Sequence, residues 1–245
     1  MKRSPAARVL AAVVLLAAVN GSSNAQQSDT PYSLSGHPSQ DGRCEGDAGN
    51  GDLDRSEAAC LAQASRFAQR IRRALLLKFT RGGAKVYLND DAACERADAE
   101  RCIKYQLTGF FPRHELLLIE LDYWEGVEWL LVRAASGEAT KIVSPPHYSP
   151  NQDWLVAVSA SENPRPGGDG IDIVPTTPDR TARQWHYRVP EGDDSLYEFA
   201  GWDGEMRVKL TVSSLKNPME RVPATVDLID GEWRMSRPVA PPARP

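Results

Sequence analysis

The chain has 245 residues, of which 41% are apolar and 25% charged, and its formal charge is −4. That profile excludes a disordered chain, a collagen-like repeat and a multi-span membrane protein, and it fits a globular domain. Its mild acidity gives no general attraction to nucleic acid or to anionic lipid, so no nucleic-acid partner is expected.

The first 25 residues carry Lys2, Arg3 and Arg8 and no acid, followed by an apolar core over Val9–Val19. Ser23-Asn24-Ala25 supplies the small residues of a cleavage site, so residues 1–25 are read as a signal peptide cut after Ala25. The apolar core is too short for a hydrocarbon layer that needs ~20 residues, and no later stretch reaches that length. A periplasmic or secreted product with no integral membrane segment is expected. Four cysteines, Cys44, Cys60, Cys94 and Cys102, then fall in an oxidising compartment, without the C-x-x-C spacing of zinc or redox sites. The expected pairing is local, Cys44 with Cys60 and Cys94 with Cys102, each closing a polar loop.

Residues 26–53 are dominated by polar residues, Gly and Pro, and are read as a flexible leader. Asp47, Asn50, Asp52 and Asp54 resemble a calcium loop, but Arg55 stands at the turn-glycine position and Leu61 at the glutamate position. No metal and no cofactor is expected. A β-rich domain over 54–236 follows, and then a Pro-rich tail over 237–245. The domain opens with a helix predicted over about 54–71. Asp54 and Glu57 form its capping box, and Cys60, Ala64, Phe67 and Ile71 form its buried stripe. Arg70, Arg72 and Arg73 are read as a solvated face.

From about residue 74 the apolar period becomes two. Leu75, Leu77 and Phe79 face one way, Gly82-Gly83 turns the chain, and Val86 and Leu88 carry the return strand. Further strands are predicted at Lys104–Leu107, Glu115–Asp122, Val127–Arg133, Ala139–Val143 and Trp154–Val158. The series continues with Ile171–Val174, Arg183–Val189, Met206–Val212, Ala224–Ile229 and Glu232–Met235. The run Leu116–Ile119 is continuously apolar, the mark of a strand buried on both faces.

Three passages, starting near Phe111-Pro112, Ser149-Pro150 and Trp202-Asp203, share one grammar of turn, apolar strand, loop, strand, turn, strand. A period of about 40 residues matches the four-stranded blade. The segment PHYSPNQDWLVAVSA, residues 146–160, resembles the Ser-Pro-Asp-Gly turn and strand of TolB-type and WD40-type β-propeller repeats. Ser149 and Pro150 match, Asn151 stands for the aspartate and Gln152 for the glycine; Trp202-Asp203-Gly204 is a weaker copy. The resemblance implies a scaffold for binding or assembly and no catalytic residue. The expected fold class is therefore all-β and mainly antiparallel, propeller-like with three to four small sheets plus one N-terminal helix. A β-sandwich is the alternative.

Candidate chemistry is sparse. His37, His114, His147 and His186 are scattered singly, and there is no G-x-S-x-G elbow or phosphate loop. Glu120, Asp122 and Glu125, beside Tyr123 and Trp124 at a strand end, are the carboxylates that a carbohydrate- or cell-wall-acting hydrolase would use. Of the six tryptophans, Trp124, Trp129, Trp154, Trp185, Trp202 and Trp233, Trp129, Trp154 and Trp185 fall in strands and are read as core, and Trp124 and Trp202 sit at turns where an indole can anchor a partner. The sequence thus points to an exported, non-catalytic interaction protein whose partner is a protein or envelope component. An inhibitor or immunity role fits that class; a hydrolase or a structural assembly component are the alternatives.

Overall fold

A computed structural model of the chain describes Cys44 and residues 53–124, 126–159, 169–177, 185–190 and 192–236. The signal segment 1–25, the leader apart from Cys44 and Leu53, Glu125 and the tail 237–245 lie outside the described residues. A helix α1 (Leu53–Gln63) precedes four antiparallel meanders in which every strand pairs with its sequence neighbour. Sheet 1 contains β1 (Ala68–Ile71), β2 (Ala74–Lys78) and β3 (Ala84–Leu88). A short helix α2 (Asp91–Glu95) leads to sheet 2, with β4 (Ile103–Phe111), β5 (Leu116–Tyr123), β6 (Gly126–Arg133) and β7 (Ala139–Ile142). Sheet 3 contains β8 (His147–Tyr148), β9 (Trp154–Ser159), β10 (Gly170–Pro175) and β11 (Trp185–Arg188). Sheet 4 contains β12 (Ser195–Trp202), β13 (Arg207–Ser214), β14 (Asn217–Ile229) and β15 (Glu232–Ser236).

The sheets pack face to face in chain order, with an apolar layer in each gap. Leu117, Ile119 and Leu121 of β5 and Val132 of β6 meet Leu75, Leu77 and Tyr87 of sheet 1, closed at one side by Cys60 and Ala64 of α1. The alternate residues Leu116, Leu118 and Leu131 meet Leu155, Ala157 and Val174 of sheet 3. Sheet 3 turns Val156, Ile171 and Ile173 the other way, onto Val208, Leu210, Val226 and Trp233 of sheet 4. Period-two geometry sends successive side chains to opposite faces, so the unbroken run Leu116–Ile119 is what a sheet enclosed on both sides requires. Four sheets in series are not the two layers of a sandwich. Among the described residues no apolar layer joins sheet 4 back to sheet 1.

The two end faces differ in chemistry. The outer face of sheet 4 is mostly polar and paired with itself, Arg207 with Asp227, Arg221 with Glu198 at 3.3 Å and Thr225 with Ser236 at 2.8 Å, and it carries the exposed Ile229 at the end of β14. Sheet 1 instead turns Ile71, Val86 and Leu88 outward, 49%, 58% and 59% exposed, beside Leu76 and Ala74.

Several expected boundaries move. The helix ends at Gln63 rather than Ile71, and Ala68–Ile71 pairs with Ala74–Leu77 across the turn Arg72-Arg73, where Arg72 takes φ 53°. The match of Ile71 to the helical stripe was coincidental, since its side chain faces outward from a strand. Arg70 is not on a solvated face. It forms a two-pronged pair with Glu57 and donates to the Tyr105 carbonyl at 2.6 Å, while Leu107 N–H donates to Glu57 at 2.9 Å. Glu57 thus serves not as the return half of a capping box but as a tie between α1, sheet 1 and sheet 2. In β3 the buried residue is Tyr87, between the exposed Val86 and Leu88. A second helix, α2, was not expected; the Asp90 carboxylate caps it by accepting from Ala93 N–H at 3.0 Å. β8 and β12 were missed as well. Consequently the three repeated turns lie between the first and second strands of sheets 2, 3 and 4, not at the sheet starts.

Both disulfides are the local ones, Cys44–Cys60 and Cys94–Cys102, with Cα separations of 5.0 and 4.4 Å. The first fastens Cys44 to α1 and the second fastens α2 to the strand entering sheet 2. Replacing Cys44 and Cys60 together by alanine is expected to lower unfolding stability by about 3 kcal/mol, and Cys94 with Cys102 by about 2.5 kcal/mol. Urea titration of each double variant against the parent checks both values.

Candidate functional site

The repeated turns carry the closest contacts between sheets at one end of the stack. In the β8–β9 turn, Asn151 Oδ1 accepts from Ser149 Oγ–H at 2.7 Å and from Asp153 N–H at 3.0 Å. Those are bonds an aspartate at that position can accept. The Asn151 amide also donates to Asp153 and, at 3.0 Å, to Glu205 in the β12–β13 turn, which an ionised aspartate cannot do. From the other side Arg113, in the β4–β5 turn, donates to the Asn151 carbonyl at 3.3 Å. One residue in each turn takes the left-handed conformation: Glu115 at φ 49°, Gln152 at φ 62° and Gly204 at φ 65°. Gln152 therefore occupies a left-handed backbone state that glycine adopts most readily.

Behind this row His114 packs on Tyr148 at 5.9 Å between ring centroids, and Tyr148 sits edge-on to Phe111 at 5.0 Å. Burial holds the His114 imidazole below its ordinary pKa, with the Arg113 guanidinium adding to the shift. Burial also pushes the Tyr148 phenol up.

Two polar clusters pin sheet 3 to sheet 2. Arg133, 4% exposed, donates from β6 to the carbonyl of Thr177 at 3.0 Å, just past β10. Asp172, fully buried in β10, accepts from Val143 N–H at 2.9 Å, joins His186 Nδ1 at 2.7 Å and accepts from Arg188 at 3.2 Å. Neither cluster was read from the sequence. The signal available was an aspartate inside the otherwise apolar Gly170–Pro175 strand, a placement tolerated only with charged or N–H partners. A crevice beside Arg133, lined by Leu116, Leu131, Thr140, Val174 and Pro175, has no room for a water molecule. The Asp172–His186 contact resembles the orienting pair of a general base, but its Val143 and Arg188 partners make it a structural pin.

The sequence-derived candidates separate. Glu120 and Asp122 share a face of β5; Asp122 is exposed opposite Lys104, and Glu120 is half-buried opposite Gln106 and Trp129. Glu128, not singled out from sequence, receives the Tyr123 hydroxyl and pairs with Lys141. Trp124 is 52% exposed at the β5–β6 turn. Trp202 lies at the other end of the stack, half-buried, 6.3 Å from the Trp233 ring in the layer between sheets 3 and 4. The two indoles therefore do not form one patch. Among the remaining histidines, His147 stacks on Phe199 at 4.3 Å, and His37 lies outside the described residues. No cluster of three or more His, Cys, Asp or Glu side chains set to hold a metal occurs among the described residues. No helix there is long and apolar enough to cross a membrane.

Among the described residues no apolar layer lies against the outer face of sheet 1. Around its exposed aliphatic side chains lie Lys78 on the face and Arg72, Arg73 and Arg81 in the two turns, all exposed. The sheet is fixed on its inner side. Thr80 and Arg81 N–H donate to the carbonyls of Ala134 and Ala135, and a Cβ at Gly137 would stand 2.5 Å from the Phe79 ring. Comparison with protein-family models, curated proteins and solved structures finds no match for the chain.

Two outcomes follow from this geometry. Asp172→Ala is expected to cost about 3 kcal/mol, since it strands the buried donors around it. The exposed Asp122→Asn changes stability by less than about 0.5 kcal/mol; chemical denaturation of both variants checks the contrast. For His114 the folded pKa lies below the unfolded one, so the unfolded chain binds the extra proton. Its contribution is complete above about pH 6.5 and is lost as pH falls toward the folded value. The stability of the parent relative to His114→Gln should thus decrease as pH falls below about 6.5, read from urea midpoints at each pH.

Proposed function

We propose that the chain is an exported, non-catalytic binding protein of the cell envelope, built as an open, propeller-like stack of sheets. In this reading it engages its partner through the free face of sheet 1. The observation that carries it is the asymmetry of the two end faces. A sheet with an apolar face is stable only when that face is covered. Sheet 4 ends the stack with paired charges and hydroxyls around the exposed Ile229, whereas sheet 1 ends it with Ile71, Val86 and Leu88 exposed together and Leu76 half-buried beside them. Contiguous apolar side chains rimmed by charge mark an interaction surface.

Export is supported by the basic, then apolar, then small-residue order of residues 1–25 and by two disulfides, which persist in oxidising compartments. The propeller-like reading is supported by the four-stranded meanders of sheets 2, 3 and 4 and by their equivalent first turns. Trp124, 52% exposed at the β5–β6 turn of sheet 2, is a separate candidate anchor. The half-buried Trp202 serves as a cap for the layer beneath it.

A photo-crosslinking residue placed at Val86 should give an adduct in envelope preparations, and one placed at Lys209 on the outer face of sheet 4 should not. Adducts at 209 with none at 86 would overturn the reading.

A further inference from the structure

We infer that the partner of the sheet 1 face is an anionic lipid bilayer surface, with the aliphatic side chains entering the headgroup layer and the surrounding cations meeting lipid phosphates. The inference rests on the binding reading above and names its partner. Between Glu57 and Asp90 the chain has seven cations, Arg66, Arg70, Arg72, Arg73, Lys78, Arg81 and Lys85, and no acid, although the whole carries −4. Arg70 is satisfied by Glu57, Arg66 lies 3.9 Å from Glu115, and Lys85 covers the Tyr87 ring at 4.7 Å. Arg72, Arg73, Lys78 and Arg81 form no ion pair among the described residues and are exposed.

Net acidity hides this segment. An acidic body with one basic end is turned by an anionic surface until that end faces it.

Charge also selects among occupants. A second copy packed on the same face would bring two sets of unpaired arginines and lysines together, which costs energy, and would supply no counter-charge. A specific protein partner is recognised through anchors seated in fitted pockets. Here the apolar contacts are aliphatic and stand on an open three-stranded surface. The cations lie on long flexible stems at both ends of the strands. A headgroup plane needs no fitted pocket; it needs apolar area beside cations, as interfacial amphipathic elements present.

The test uses the chain recovered after export, its N-terminus verified by intact mass so that no apolar leader contributes. Cosedimentation is measured with phosphatidylglycerol-rich vesicles and with pure phosphatidylcholine vesicles. Binding should require phosphatidylglycerol and should fall when salt rises from about 0.05 M to about 0.5 M. Arg72→Gln with Arg73→Gln should weaken it by about fivefold for each charge removed. Val86→Asp, at an exposed position, should also weaken it, with unchanged circular dichroism in both variants. Equal binding to both vesicle types, insensitivity to salt, or unaltered binding by both variants overturns the inference. Absence of vesicle binding together with a protein adduct at position 86 overturns the lipid partner and leaves the binding reading intact. Absence of any adduct at 86 overturns the binding reading itself.

Discussion

Burial of sheet faces is the constraint on which the rest of the molecule depends. A meander of three or four short strands has too little apolar area to persist alone. Each sheet here gains stability only through the layer it shares with its neighbour. Sheets 2 and 3 are covered on both sides, and β5 accordingly carries the unbroken apolar run Leu116–Ile119. Sheets 1 and 4 are covered on one side. The difference between a polar and an apolar free face at the two ends then becomes the most informative feature of the surface.

Apolar layers fix distance but leave sliding and rotation open; buried polar groups close those freedoms. Glu57 and Arg70 tie the helix, the first sheet and the Leu107 backbone into one arrangement. Asp172 and Arg133 bond sheet 3 to sheet 2 near opposite ends of their shared layer. The row Arg113, Asn151 and Glu205 lines up the first turns of three successive sheets. Each bond makes sense only in one register, because a displaced partner would leave a desolvated charge or N–H unpaired. The same logic accounts for an asparagine in the Ser149-Pro150 turn: its oxygen holds its own turn and its amide reaches the next sheet.

The site proposed for function is thus a by-product of where the stack ends. Arg72, Arg73, Lys78 and Arg81 form no ion pair among the described residues, and the aliphatic residues between them are not needed to hold sheet 1, whose inner face already carries Leu75, Leu77 and Tyr87. Side chains that contribute nothing to the fold and cost solubility point to a use outside it. The carboxylates at the end of β5 lack this quality; they sit where any strand leaves a core.

The local periodicities of the sequence determined most of the strands, the hairpin turns, the mainly antiparallel β-rich class and the nearest-neighbour disulfides. Those properties are written in spacings of two residues, in turn residues and in short loops. Where the signals were short or ambiguous, only tertiary structure decided. Ala68–Ile71 fits a helical stripe and a strand equally well, and its pairing with β2 and the Arg70–Glu57 bonds selected the strand. Tyr87 rather than Val86 and Leu88 went inward because register with Leu75 places it there. The partners of Glu57, Asp172 and Arg133 lie in other elements of the chain, and no local pattern encodes them. Which apolar face stayed uncovered was likewise settled by the order of stacking, since alternation tells that a face is apolar and not what lies against it.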